Sequence, residues 1–138
     1  MRVLLVEDDL VLQGILADLI TKLDESIELE TATSADEIIL IMKSQALNPN
    51  FGYDLIISDV KLNGEATGFD LWNVCSYFCP STFFVFIAGL STMEFVEKLQ
   101  KDPRCPPFLT KPFKRAQFAR LLEQVMEHKG RYSRKAEY

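Results

Sequence analysis

Residues 54 to 60 read Asp54-Leu55-Ile56-Ile57-Ser58-Asp59-Val60, a short apolar run that ends in a carboxylate. The start of the chain has the same form, because the apolar run Val3-Leu4-Leu5-Val6 leads into Glu7-Asp8-Asp9. Continuous apolar runs of this length are typical of strands that are buried on both faces of a parallel sheet. Both segments therefore predict central strands that end in acidic residues.

Strand-length apolar runs alternate with helical patterns along the rest of the chain. Further strands are predicted at 27–31, 83–87 and 106–110, with helices over 11–23, 38–43, 69–78, 95–99 and 118–125. Segment 27–31 alternates only weakly, as a strand near a sheet edge would. Five strand–helix pairs with right-handed crossovers predict an α/β fold, a doubly wound five-stranded parallel sheet in the order 2-1-3-4-5, flavodoxin-like.

Two segments have the sequence of a capping box, in which a Ser or Thr side chain and an acid three residues later satisfy the first helical N–H groups. They are Ser34-Ala35-Asp36-Glu37 and Ser91-Thr92-Met93-Glu94. We expect each to open a helix.

Composition limits the classes of function. The chain has 138 residues and a formal net charge of −5, which suits one domain and argues against nonspecific nucleic-acid binding. The apolar N-terminal run is too short for a signal peptide or a membrane span, and three cysteines, an odd number, fit a reducing compartment. We therefore expect a cytoplasmic protein without membrane contact, in which Cys75 and Cys79 pack in a core rather than bind metal.

We assign residues 1–128 to one domain and residues 129–138 to a polar basic tail or linker stub. On this reading the chain is either a stand-alone domain or a fragment of a larger regulator.

Ligands in open α/β sheets bind beyond the carboxyl ends of the strands, where the strand order reverses. The predicted topology gathers at this edge Glu7 and Asp8 from strand one, Asp59 from strand three and Lys111 from strand five. Carboxylates held this close repel each other. A hard divalent cation resolves the repulsion, and oxygen donors suit Mg²⁺ (or Mn²⁺). Lys111 would bind a phosphoryl oxygen, with a carboxylate as nucleophile toward phosphorus.

The two acidic segments, together with Leu109-Thr110-Lys111-Pro112-Phe113, resemble the receiver domains of two-component response regulators over residues 1–128. The resemblance implies that Asp59 is the phosphoacceptor and that Lys111 binds phosphate. It also implies a metal site made of Glu7, Asp8, Asp59 and the main-chain carbonyl of Lys61. The implied donor is a histidine kinase, a phosphotransfer protein or a small acyl phosphate, and the implied output is an unidentified downstream protein.

The resemblance further implies a cis bond between Lys111 and Pro112 and a switching aromatic at Phe108. The chain departs from the family pattern at Ala88, where receivers have a Ser or Thr whose hydroxyl meets the phosphoryl group. Lys61 is an unusual cation so close to the acceptor, and the interval before Asp59 is several residues longer than usual, near residues 44–51.

The favoured function is a phosphoacceptor signalling domain that passes its signal by a conformational or protein-contact change. It would act on no substrate beyond its own phosphorylation and dephosphorylation. The alternative is a phosphorylation-independent pseudo-receiver that acts as a protein-interaction scaffold, which the missing hydroxyl of Ala88 suggests. A flavin carrier on this fold disagrees with Glu7 and Asp8, which would repel the flavin phosphate. Lys61 argues against an aspartate-dependent phosphatase, since such enzymes usually have a second Asp two residues after the nucleophile.

Overall fold

The computed structural model describes residues 1–136, with side chains through residue 127. Within this range, five strands alternate with five α-helices, and a single 3₁₀ turn precedes the fourth helix. The strands are β1 Arg2–Val6, β2 Glu28–Ala32, β3 Leu55–Asp59, β4 Phe83–Ala88 and β5 Phe108–Thr110. The helices are α1 Leu10–Leu23, α2 Ala35–Ser44, α3 Gly68–Phe78, α4 Met93–Leu99 and α5 Arg115–Ala136, and the 3₁₀ turn is Leu90–Thr92. The side chains of the predicted tail, residues 129–138, lie outside the described residues.

The strands form one parallel sheet in the order β2-β1-β3-β4-β5, as the sequence predicts. Strand β2, with its weak alternation, lies at one edge. The register pairs Val6 with Ser58 and Asp59 with Ile87, so that the carboxyl ends of β1, β3 and β4 lie side by side. This alignment brings the residues that follow these strands to a common edge of the sheet.

Alternate side chains of the central strands enter two apolar layers, one on each face of the sheet. One layer packs Leu4, Ile56 and Phe86 against α2, α3 and α4. The other packs Leu5, Ile57 and Val85 against α1 and α5. Because both faces are covered, the strands read as continuous apolar runs in the sequence.

The predicted capping boxes are wrong in their hydrogen bonds. Ser34 is the N-cap of α2, but its side chain makes no capping hydrogen bond. Thr92, not Ser91, is the N-cap of α4, and its hydroxyl donates to the carbonyl of Gly89 at 3.0 Å rather than accepting from the helix. A 3₁₀ turn occupies the position where the sequence predicts the first residues of the helix.

Cys75 and Cys79 lie one turn apart in or next to α3, and both are buried in the layer beneath it. This agrees with the predicted role of these residues in packing. Across the described part of the chain, no helix combines the length and the apolar character that crossing a membrane requires.

Candidate functional site

Four predicted residues meet at the carboxyl edge of the sheet. Glu7 and Asp8 follow β1, Asp59 ends β3 and Lys111 follows β5. Carboxylate oxygens of Glu7, Asp8 and Asp59 all lie within 4.8 Å of one another. The ammonium nitrogen of Lys111 lies 2.7 Å from Oδ2 of Asp59 and 3.6 Å from Oε2 of Glu7. The strand order thus converges residues that are far apart in the sequence.

Glu7 is the most deeply placed of these acids, with 1% of its surface exposed. Its Oε1 accepts a hydrogen bond from the backbone N–H of Asp9 at 3.2 Å, whereas its Oε2 is buried without a hydrogen-bond partner. Burial first and the charge of Asp59 second raise the pKa of Glu7 to about 7, although the hydrogen bond from Asp9 and the charge of Lys111 act in the opposite direction. A carboxylate in this position carries a strong preference for a positive partner.

Among the described residues, Lys111 is the cation that forms ion pairs with this cluster. Burial lowers the pKa of Lys111, but its hydrogen bond to Asp59 and the charges of Asp59 and Glu7 outweigh this and raise it overall. Its distance of 3.6 Å to Glu7 Oε2 is too long for a hydrogen bond. Lys111 therefore donates a hydrogen bond to Asp59 and forms only an ion pair with Glu7, whose Oε2 has no hydrogen-bond partner.

The residues present fit a hard divalent cation. Three carboxylates converge, all of the donor atoms are oxygens, and Oε2 of Glu7 is buried and unsatisfied. Oxygen ligands with several negative charges are what Mg²⁺ requires in proteins. Among the potential metal ligands of the described residues, these three carboxylates are the group whose atoms lie close enough together to hold a metal ion.

The loop after β3 forms one wall of the site. The backbone N–H of Asn63 donates to Oδ2 of Asp8 at 3.1 Å. The N–H of Lys61 makes a long contact of 3.4 Å with Oδ1 of Asp59, and the Lys61 side chain is exposed at the pocket. The structure therefore brings Lys61 to the site, and the use of its carbonyl as a metal ligand stays a prediction.

Asp36 anchors this loop from outside the site, a role that the sequence analysis missed. Its Oδ1 accepts a hydrogen bond from the N–H of Ala66 at 3.1 Å. Gly64 has φ +104°, and a Cβ there would collide with Oδ2 of Asp36. At the other end of the loop, a Cβ on Gly68 would collide with the Asp59 carbonyl oxygen. Both glycines thus permit close approaches that a side chain would block.

Ala88 ends β4 beside the site and is fully buried. It pairs with Thr110 in β5, and its carbonyl accepts from the N–H of Lys111 at 2.8 Å. Phe108 lies in the same strand pair, half-buried against the apolar layer that includes Ala88. The structure therefore places Ala88 and Phe108 in neighbouring strands, whereas their predicted part in switching stays a prediction. The Lys111–Pro112 bond is cis, as predicted.

A pocket of about 260 Å³ lies beside the acidic cluster and Lys111. Its walls include Asp8, Asp59, Lys61 and Lys111, together with Ser91 and Thr92 from the 3₁₀ turn. The pocket has the charge and the donor groups to receive a small anion beside a cation. The capping pattern at Ser91 predicts only a helix start, and no pattern in the sequence brings Ser91 or Thr92 to the site.

Fold and site together define a class of protein, and the comparisons with known proteins agree with it. The model of the response regulator receiver domain family matches residues 3–123. The chain belongs to this family and is a receiver domain of two-component signalling. Receiver domains are generally signalling domains without an external substrate, and they interact with histidine kinases and downstream effectors.

Solved structures share this fold at low sequence identity. A response regulator receiver protein from Sinorhizobium medicae is 19% identical with a TM-score of 0.74, covering 94% of this chain and 96% of its own. A receiver domain protein from Clostridium thermocellum is 18% identical with a TM-score of 0.75, at the same coverages of 94% and 96%. The receiver domain of NtrX from Brucella abortus is 23% identical with a TM-score of 0.70, covering 91% and 98%. No curated protein gives a significant sequence match.

Proposed function

We propose that this receiver domain is the phosphoacceptor of a two-component phosphorelay and takes the phosphoryl group on Asp59. The observation that carries the proposal is the position of the Asp59 carboxylate. It lies 2.7 Å from the Lys111 ammonium, within 4.8 Å of two further carboxylates, and on the wall of an open pocket. The nucleophilic oxygen of Asp59, a bound metal ion and the phosphate-binding ammonium of Lys111 would thus lie next to one another.

Glu7, Asp8 and Asp59, with the carbonyl of Lys61, are the residues that would hold Mg²⁺ or Mn²⁺. When bound, the cation neutralises negative charge on the phosphoryl oxygens during transfer. The backbone N–H of Asn63 donates to one oxygen of Asp8 and so restrains that carboxylate next to the proposed metal site. The preference of buried Glu7 for a positive partner supports the same assignment.

Asp59 would attack phosphorus in line with the bond to the donor. A bond forms between an Asp59 carboxylate oxygen and phosphorus while the donor's P–N bond, in a phosphohistidine, or P–O bond, in an acyl phosphate, breaks. The leaving group takes the electron pair of the broken bond. Lys111 would turn its N–H groups from Asp59 to a phosphoryl oxygen, where a mobile ammonium acts as a point charge. Positioning and charge stabilisation account for catalysis of this kind.

The proposed donors are a histidine kinase or a phosphotransfer protein, with small acyl phosphates as substitutes. The proposed output is contact with a downstream protein, without direct binding of nucleic acid or of a membrane by this domain. We propose no chemistry beyond self-phosphorylation and self-dephosphorylation. The odd number of cysteines supports a cytoplasmic location.

A second candidate function is a pseudo-receiver scaffold that signals without phosphate. Ala88 favours it, because its position is fully buried and carries no hydroxyl. The retained acids and Lys111 argue for phosphate use, since a site without a cation or phosphate has no need to bury Glu7 with an unsatisfied oxygen.

Intact-mass measurement separates the two candidates. The full chain is incubated with acetyl phosphate, once with Mg²⁺ and once with a chelator. A phosphoacceptor gains the mass of one phosphoryl group in the presence of Mg²⁺ only. A scaffold gains no mass in either sample.

A further inference from the structure

Two hydroxyl-bearing residues line the pocket, although the end of β4 supplies none. They are Ser91 and Thr92, both in the 3₁₀ turn that leads from β4 into α4. Ser58 also lies close to Asp59, but its side chain is fully buried and donates to the Asp59 carbonyl at 2.9 Å. A hydroxyl for a bound phosphoryl group therefore has to come from the turn.

Thr92 is already committed to the fold. Its hydroxyl donates to the carbonyl of Gly89 at 3.0 Å, and 7% of its surface is exposed. The same carbonyl also accepts from the backbone N–H of Thr92 at 3.1 Å, so that Thr92 holds the turn through two hydrogen bonds to Gly89. Thr92 thus holds the turn in shape and is a poor donor to a ligand.

The hydroxyl of Ser91, unlike that of Thr92, makes no hydrogen bond within the turn. It is exposed on the wall of the pocket, and within the described residues its hydroxyl has no hydrogen-bond partner. A serine hydroxyl rotates freely among three staggered side-chain positions and donates one hydrogen bond. Ser91 shares the pocket with Asp59 and Lys111, the two groups between which the phosphoryl oxygens would lie.

We propose that Ser91 supplies the phosphoryl-binding hydroxyl that Ala88 lacks, an inference that rests on the proposed function. The contact between phosphate and protein then falls three residues further along the chain, beyond the end of the sheet. Met93, two residues after Ser91, begins α4, and its sulfur lies 4.0 Å from the hydroxyl of Thr110 in β5. Movement of Ser91 toward a bound phosphoryl group would therefore displace the first residues of α4.

The test uses beryllofluoride with Mg²⁺ as a phosphoryl mimic on the full chain, with binding followed by fluorine NMR. Ser91→Ala should weaken beryllofluoride binding roughly 10- to 100-fold, as expected for one lost hydrogen bond to a charged group. Ser91→Thr keeps the hydroxyl and should bind like the parent. Ser44→Ala, at an exposed serine at the end of α2, is the matched control and should also bind like the parent.

Parent-like stabilisation of Ser91→Ala by Mg²⁺, seen as an unchanged shift of the urea midpoint, shows that the metal site is intact in the variant. Beryllofluoride binding by Ser91→Ala as tight as that of the parent would overturn the inference, as would equal weakening in Ser91→Thr. If the parent itself binds Mg²⁺ but no beryllofluoride, the proposed phosphoacceptor function fails, and this inference fails with it.

Discussion

The ammonium of Lys111 lies 2.7 Å from Oδ2 of Asp59, although 52 residues separate them in the sequence. The contact exists because β3 and β5 run in the same direction on either side of β4, which brings their carboxyl ends to one edge. Without a metal ion, Lys111 is the counter-charge of the site. With a metal ion bound as proposed, Lys111 and the ion would compete for the same carboxylates.

This competition predicts opposite effects of Lys111→Met on folding and on metal binding. The variant should lower the free energy of unfolding of the metal-free chain by about 1–3 kcal/mol, because buried Asp59 loses its hydrogen-bonded partner. It should also bind Mg²⁺ several-fold more tightly, because a positive charge next to the metal has been removed. Urea unfolding and Mg²⁺ titration measure the two effects. Lys114→Met, at an exposed lysine nearby, is the control. Weaker Mg²⁺ binding by Lys111→Met would contradict the competition.

Glu7 predicts a pH-dependent stability of the metal-free chain. Burial raises its pKa to about 7 from 4.5, so the folded chain keeps a proton that the unfolded chain releases between these values. The associated stability is fully present below about pH 4.5 and is lost as the pH rises through about 7. Glu7→Gln should therefore exceed the parent in free energy of unfolding by about 3 kcal/mol near pH 8, and by much less near pH 5.

Urea unfolding in the presence of a chelator checks this prediction at both pH values. Glu7→Gln should gain stability in this way but lose its stabilisation by Mg²⁺, since the Gln side chain is a neutral ligand. A difference between Glu7→Gln and the parent that is the same at both pH values would refute the role of Glu7 ionisation.

If Mg²⁺ binds the native arrangement of Glu7, Asp8 and Asp59 as proposed, it should stabilise the fold. At a hundredfold excess over its dissociation constant, a ligand of the native state alone adds about 2.7 kcal/mol. Asp8→Asn should lose most of this effect. Asp9→Asn is the matched control, because Asp9 caps α1 by accepting from Val11 and Leu12, and Asn is an equally good N-cap. Equal Mg²⁺ stabilisation of both variants, measured as shifts of the urea midpoint, would remove Asp8 from the site.

Most of the site could be predicted from the sequence, because a parallel sheet gathers the carboxyl ends of its strands whatever the loops do. Glu7, Asp8, Asp59 and Lys111 are all placed by strand order alone. The role of Asp36 depends instead on the path of the loop from Val60 to Thr67, which no local pattern specifies. Local sequence patterns predict neither this tertiary contact of Asp36 nor the 3₁₀ turn that replaces the first turn of a helix at Ser91.

If Asp59 takes a phosphoryl group as proposed, we expect the missing hydroxyl at Ala88 to limit its effect on Phe108. Ala88→Thr adds a hydroxyl at the end of β4 and should enlarge the beryllofluoride-dependent shifts in amide spectra around Phe108 and α4, since coupling between sites is typically about 1–3 kcal/mol. Ala88→Val has nearly the same volume without the hydroxyl and controls for crowding in this fully buried position. Shifts that are as large in the parent as in Ala88→Thr would show that the chain switches without a hydroxyl at this position.

We expect a carboxylate oxygen of Asp59 to be the acceptor of the phosphoryl group. The most direct measurement is the intact mass of the parent and of Asp59→Asn after the same incubation with acetyl phosphate and Mg²⁺. Asn has nearly the shape of Asp but no anionic oxygen to attack phosphorus, so the parent should gain one phosphoryl group and Asp59→Asn should gain none. Labelling of Asp59→Asn to the same extent as the parent would contradict the account.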